Sequence, residues 1–174
     1  MGKRLVTVVG ILALCATPRG WAQQLSVGDP APAIQVKEFV KGTPVSSLEK
    51  GKRYVVEFWA TWCGPCVAEL PELVTMNRMY RGRNFQLVTL SIDDVAKQED
   101  ALKVLKENHV SVRNLISSAL DRDKFAEALD QEWPGPIPYT LLIAPGGKVL
   151  YRKSGAIDPL EVKRAIVGFL GRTY

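Results

Sequence analysis

The chain has 174 residues, 47% hydrophobic and 24% charged, which suits one ordinary globular domain that buries about two-thirds of its unfolded surface. Its formal charge of +5 includes Lys3, Arg4 and Arg19 at the start; with these set aside, 20 of the 23 basic residues face 18 acidic ones. That near balance, with Lys and Arg scattered among Asp and Glu and no basic stripe interleaved with aromatics, gives no footprint for nucleic acid.

Lys3 and Arg4 form a positive start, Leu5 to Ala16 an apolar stretch, and Gly20-Trp21-Ala22 a small-residue site. This is the pattern of a secretory signal peptide over 1–22, cleaved after Ala22, and it predicts an exported protein in a periplasmic or other extracytoplasmic space. Twelve apolar residues fall short of the ~20 that span a bilayer, so an uncleaved leader acting as a membrane tether is the weaker alternative. A lipid at Cys15 is another; against it, Leu14 stands where lipoprotein signals usually carry a small residue, and otherwise Cys15 is an ordinary apolar member of the leader. The mature chain, 23–174, keeps two cysteines, Cys63 and Cys66. They are too few for a disulfide scaffold, and so short a loop removes little chain entropy, so the pair reads as reactive rather than stabilising.

Leu25 to Lys50, rich in Pro, Gly and Ser, predicts an arm with one or two short strands or turns around Ile34-Gln35-Val36. Tyr54 to Ala60 is a β-rich run of buried-strand length, interrupted by the charge of Glu57. Cys66, Leu70, Leu73 and Val74 recur at helical spacing, so a helix begins at the CxxC and Pro71 kinks it rather than ends it. Phe85 to Ile92 predicts a second buried strand, Lys97 to Asn108 a helix with Ala101, Leu102 and Leu105 inward, and Val112 to Ile116 a weaker strand. A helix over about Asp123 to Trp133 packs through Phe125, Ala128 and Leu129 and stops at Pro134-Gly135-Pro136, with Trp133 a core residue at its end. Tyr139 to Ala144 and Val149 to Lys153 form an antiparallel hairpin about Pro145-Gly146-Gly147. In the last helix Asp158 is the N-cap, Pro159 the first helical residue, Glu161 the partner in a capping box and Gly171 the stop, with Val162, Ile166 and Phe169 inward. Strands alternating with helices, closed by a hairpin, predict an α/β fold whose mixed sheet is covered by helices on both faces.

A disulfide is broken by a thiolate, and a free thiol ionises only near a pKa of about 8.5. At a helix N-terminus the sulfur of Cys63 meets unsatisfied N–H groups and the positive end of the helix dipole, a setting in which CxxC thiols have pKa values of roughly 3.5 to 7.5. Cys66, one turn inside, is placed to resolve a mixed disulfide, and Gly64 and Pro65 keep that turn tight without loss of a hydrogen bond. A carboxylate in a buried strand resists ionisation, so Glu57 should have a raised pKa and be able to take and return the proton of Cys66; on a solvated sheet it would simply point outward.

The segment Phe58-Trp59-Ala60-Thr61-Trp62-Cys63-Gly64-Pro65-Cys66 resembles the active-site segment of thioredoxins. Ile137-Pro138 with Tyr139 to Ile143 is similar to that family's cis-proline loop and following strand, and Gly147-Lys148-Val149 through Gly155-Ala156 resembles the hairpin and glycine facing the dithiol. Val27-Gly28-Asp29-Pro30-Ala31-Pro32, Glu69-Leu70-Pro71 and the strand-helix insertion between Ile92 and Trp133 look more like the TlpA/ResA branch of exported thioredoxin-like proteins than like a small cytosolic thioredoxin. The resemblance implies a thioredoxin fold, Cys63 as nucleophile, Cys66 as resolving thiol, and Pro138 in cis beside them with the Ile137 backbone pairing with substrate. It implies that Trp62 flanks the site as contact surface, while Trp59 is explained at least as well by core packing. Glu57 matches the buried acid of thioredoxins and Glu69 an acid of the TlpA/ResA branch that lies near the thiols; a first-turn Glu favourable to the helix dipole is the other reading of Glu69. Tyr139 departs from the Thr frequent at that place in thioredoxins.

The partners so implied are disulfide-bearing or thiol client proteins, apocytochrome c among them, and an upstream membrane electron donor, with the protein a monomer and no cofactor required. Three rivals remain. Zinc needs four ligands, and beyond the CxxC the sole histidine, His109, ends a predicted helix where the dipole accounts for it, which leaves a two-coordinate copper carrier as a minor reading. A peroxiredoxin-like peroxidase lacks its Thr three residues before the cysteine, where Ala60 stands. A binding module on the same fold has no need of both thiols with Gly-Pro between them.

Overall fold

The computed structural model describes residues 51–117, 130, 132–145 and 147–171, together with the backbone of a short strand at Gln35–Lys37. The strands are β1 (Gln35–Lys37), β2 (Arg53–Trp59), β3 (Phe85–Ser91), β4 (Arg113–Ser117), β5 (Tyr139–Ile143) and β6 (Val149–Ser154). The helices are α1 (Gly64–Tyr80), α2 (Gln98–Glu107) and α3 (Pro159–Leu170). One six-stranded mixed sheet runs in the order β1-β4-β3-β2-β5-β6. β1 through β2 are parallel neighbours, and β5 and β6 complete the sheet antiparallel. This is the α/β thioredoxin fold.

β2 lies at the centre because it can bury both faces: every residue from Tyr54 to Trp59 is buried. On one face Val55 and Trp59 join Phe85 and Leu87 of β3 and the inward stripes of the three helices in one core. That core takes Cys66, Leu70, Leu73 and Val74 from α1, Ala101 and Leu105 from α2, and Val162 and Ile166 from α3. On the other face Tyr54, Val56 and Phe58 pack with Val88, Leu90, Leu115, Leu141, Tyr139 and Trp133. The helix expected over 123–133 lies outside the described residues except at 130, 132 and 133, which are not helical: Glu132 lies in a turn closed by the Trp133 N–H on the Asp130 carbonyl at 2.9 Å, and Trp133 is buried.

α1 continues past Pro71, which does not end it, as expected. Asn77, one of its buried polar residues, accepts the Leu87 N–H at 2.8 Å and so ties the helix to β3. In α2, Ala101 and Leu105 are buried while Leu102 is only half-buried, because Val104 turns toward the core instead. α3 begins as expected, Asp158 Oδ1 accepting the Leu160 N–H at 2.8 Å. The capping box does not close: Glu161 reaches Lys153 on β6, at 3.5 Å, an opposite charge that its own N-cap does not offer.

Candidate functional site

β2 ends at Trp59, and a turn closed by the Cys63 N–H on the Ala60 carbonyl, at 3.1 Å, carries the chain into α1. Cys63 is the N-cap, with extended backbone (φ −93°, ψ 92°), and its sulfur accepts the Cys66 N–H at 3.3 Å. The sulfur thus does what a Ser or Asp side chain does at other helix starts, satisfying an orphan N–H. Pro65 occupies the first turn, where no N–H is missed. Cys63 and Cys66 are joined as a disulfide with Cα atoms 5.3 Å apart. Their exposures differ: Cys63 keeps 6% of its surface and Cys66 none, so an incoming partner meets Cys63 first. Gly64 and Pro65 are exposed beside the dithiol, and a Cβ added at Gly64 would meet nothing within 4 Å outside its chain neighbours, so packing does not require a glycine there. Trp62 is 64% exposed, an indole held in water next to the dithiol, whereas Trp59 is fully buried in the core.

The antiparallel register of β2 and β5 pairs Phe58 with Tyr139 and so brings Pro138 level with Trp59, at the end of the sheet from which the dithiol loop emerges. The Ile137-Pro138 peptide is cis. Ile137 packs partly buried against the core that contains both cysteines. The Pro138 carbonyl accepts the Gly155 N–H at 2.9 Å, at a residue whose φ of +82° suits glycine. Tyr139 turns to the opposite face, where its hydroxyl donates to Asp130 at 2.9 Å.

Alternation along β2 places Glu57 on the face of Val55 and Trp59, toward α1. It is fully buried, and the solvated reading is excluded. Its Oε2 accepts the Thr140 hydroxyl at 2.7 Å. Glu69, three residues beyond Cys66, is also buried and belongs to the second turn of α1, so the helix-dipole reading does not hold. Its Oε2 accepts the Ile157 N–H at 3.0 Å, joining α1 to the loop after β6. The two remaining oxygens, Glu57 Oε1 and Glu69 Oε1, are buried without a donor, and the carboxyls lie within hydrogen-bonding reach of each other. One shared proton satisfies both. Burial first, then the charge of Glu69, raises the Glu57 pKa well above the usual carboxylate range, against the hydrogen bond from Thr140. Burial also raises Glu69, opposed by its bonds to Glu57 and the Ile157 N–H. Both carboxyls are thus pushed toward the protonated form, and the pair titrates as a unit that holds one proton between them.

Thr140 was not among the expected site residues. Its signal was a hydroxyl inside the apolar run Tyr139 to Ile143, which only the Glu57–Thr140 register turns into a contact. Among the described residues no group of three or more His, Cys, Asp and Glu is placed to hold a metal ion, and no helix is long and apolar enough to cross a membrane.

A thioredoxin fold that presents a CGPC dithiol at a helix N-terminus, with a cis-proline at the same end of the sheet, defines a dithiol oxidoreductase. The model of the Redoxin family matches residues 26–166, and the chain belongs to that family, in its TlpA/ResA-like branch of the thioredoxin superfamily. It is similar to the thiol-disulfide oxidoreductase ResA of Oceanobacillus iheyensis, 30% identical over 141 residues that span 78% of this chain and 69% of that one. Sporulation thiol-disulfide oxidoreductase A of Bacillus subtilis is 24% identical over 162 residues, 92% of this chain and 95% of its own. Among solved structures, one described as a thiol:disulfide interchange protein DsbE from Chlorobium tepidum superposes with a TM-score of 0.62 at 26% identity, covering 76% of this chain and 92% of that one. The chain is a thiol-disulfide oxidoreductase.

Proposed function

We propose that the protein reduces disulfides of exported client proteins, apocytochrome c being the kind of client the ResA likeness favours. In this reading the leader over 1–22 is removed on export and the monomeric domain is recharged by a membrane electron donor. The Cys63 thiolate attacks one client sulfur; a new S–S bond forms and the other client sulfur leaves as a thiolate. Cys66 then loses its proton to the Glu57–Glu69 pair, which holds one proton and keeps one carboxylate to take a second. Cys66 attacks Cys63 and the mixed disulfide breaks. The client departs with both electrons, and the protein is left with the Cys63–Cys66 disulfide. Trp62, Gly64, Pro65 and the Ile137-Pro138 backbone form the face on which the client docks.

The observation that carries the reading is the sulfur of Cys63 at the helix N-cap, bonded to the Cys66 N–H. Cys63→Ser should abolish insulin-disulfide reduction, and retained turnover would refute the assignment of nucleophile. The direction of electron flow is tested by equilibration with glutathione. A potential nearer the about −270 mV of thioredoxin than the about −120 mV of DsbA agrees with a reductant, and the reverse makes the protein an oxidant.

A further inference from the structure

Asp93, just past the end of β3, is 5% exposed and spends both carboxylate oxygens on the loop that leads to Cys63 and on its own strand. Oδ2 accepts the Thr61 backbone N–H at 2.9 Å and Oδ1 the Thr61 hydroxyl at 2.8 Å. Oδ2 also accepts the Ser91 hydroxyl at 2.7 Å, and the Ser91 oxygen in turn accepts the Asp93 N–H at 3.0 Å. The strands end flush here: Trp59 pairs with Ser91, and the Ile92 N–H reaches the Trp59 carbonyl at 2.9 Å. Thr61 is the second residue of the turn closed between Ala60 and Cys63. Beyond the last strand pairing, the Asp93 carboxylate is therefore what fastens that turn to the sheet, through a residue whose next neighbour is the exposed Trp62 and whose second is Cys63.

We propose that Asp93 is a positioning residue for thiol-disulfide exchange. By clamping Thr61 it fixes the direction in which Trp62 and the Cys63 sulfur face a client, while touching neither. An exchange transition state needs three sulfurs in line, so a loop free to shift by about 1 Å loses rate in proportion to how well the client must be placed. A small reagent that needs no docking does not feel that loss. The inference rests on the reading of Cys63 as nucleophile.

The test compares two rates on the full folded protein in its reduced state, insulin-disulfide exchange and iodoacetamide alkylation, with the alkylated cysteine identified by mass. In Asp93→Asn the amide group places a donor where Thr61 and Ser91 already donate, and in Thr61→Val one of the clamp's bonds is lost while the backbone bond remains. Exchange should fall about tenfold in Asp93→Asn and less in Thr61→Val, with alkylation within about twofold of the parent, and Thr61→Ser should restore exchange. Unchanged exchange in both variants, whatever happens to their melting temperature, overturns the proposal. A parallel fall of exchange and alkylation also overturns it, since the effect would then lie on the ionisation of Cys63. If Asp93→Asn does not fold, the Thr61 pair decides alone. Alkylation of the parent at Cys66 would sink the nucleophile assignment instead, a separate result.

Discussion

Glu57 on the central strand and Glu69 on the helix that carries the dithiol form a buried pair of carboxyls close enough to interact, and among the described residues no donor is placed on Oε1 of either. Two carboxyls so arranged cannot both ionise without cost, so the pair holds on to a proton, and Glu69 stands three residues beyond Cys66 on α1.

That arrangement fixes the sign of a pH effect. The folded pKa of Glu57 is raised above the unfolded value of about 4.3, so the folded state holds the extra proton between the two. The contribution is fully present below the unfolded pKa and is lost as pH rises through the folded one. Glu57→Gln should remove this alkaline loss, leaving the variant more stable than the parent at pH 9 in urea titrations. The same variant should slow insulin reduction by about tenfold or more at neutral pH, as loss of a general acid-base group does. An unchanged rate would remove the relay.

Cys66→Ser should trap clients on Cys63. Non-reducing gels of cells expressing the variant should show mixed disulfides that vanish on treatment with a thiol. Their absence would count against Cys66 as the resolving residue.

On the opposite face, Arg152 meets Asp130 at 2.8 Å and Glu132 at 3.3 Å, and Tyr139 completes the group. Burial alone would raise the Asp130 pKa, but the bonds from Arg152 and Tyr139 outweigh it and leave it lowered. Its stabilisation is therefore present above the unfolded pKa of about 3.9 and is lost as pH falls through the lower folded value. Arg152→Met should cost about 2 kcal/mol at pH 7 and move the onset of acid unfolding to higher pH. A variant with the parent's acid limb would show that Arg152 does not hold Asp130.

His109 ends α2 in the left-handed region, with φ at +53°. Its N–H bonds the Lys106 carbonyl and the Val110 N–H the Leu105 carbonyl, the pair of bonds that closes a Schellman turn. A glycine adopts that conformation without a Cβ penalty, so His109→Gly should stabilise by about 1 kcal/mol, raising the melting temperature by about 2–4 °C. Calorimetry showing no gain would mean that the histidine side chain contributes as much as the backbone loses.

The strands and helices were legible because each carries its own pattern: the apolar run of β2, the stripe of Cys66, Leu70, Leu73 and Val74, and Asp158-Pro159 at the start of α3. The cysteines and the burial of Glu57 could be read in the same way, from a motif and from a charge inside a strand. What stayed hidden depends on register across the sheet. Thr140 beside Glu57 is 83 residues away along the chain, and Thr61 on Asp93 is 32 away, and neither spacing has a sequence signature. Glu161 misled for the same reason: the local capping rule was met, but a lysine from a neighbouring strand competed for the carboxylate.

The central claim is tested most directly by the pH dependence of iodoacetamide alkylation of the fully reduced protein, with each cysteine followed separately by mass spectrometry. Cys63 should react first, with a midpoint well below the about 8.5 of a free thiol, while buried Cys66 lags. Two cysteines titrating together near that free value, or Cys66 reacting ahead of Cys63, would contradict it.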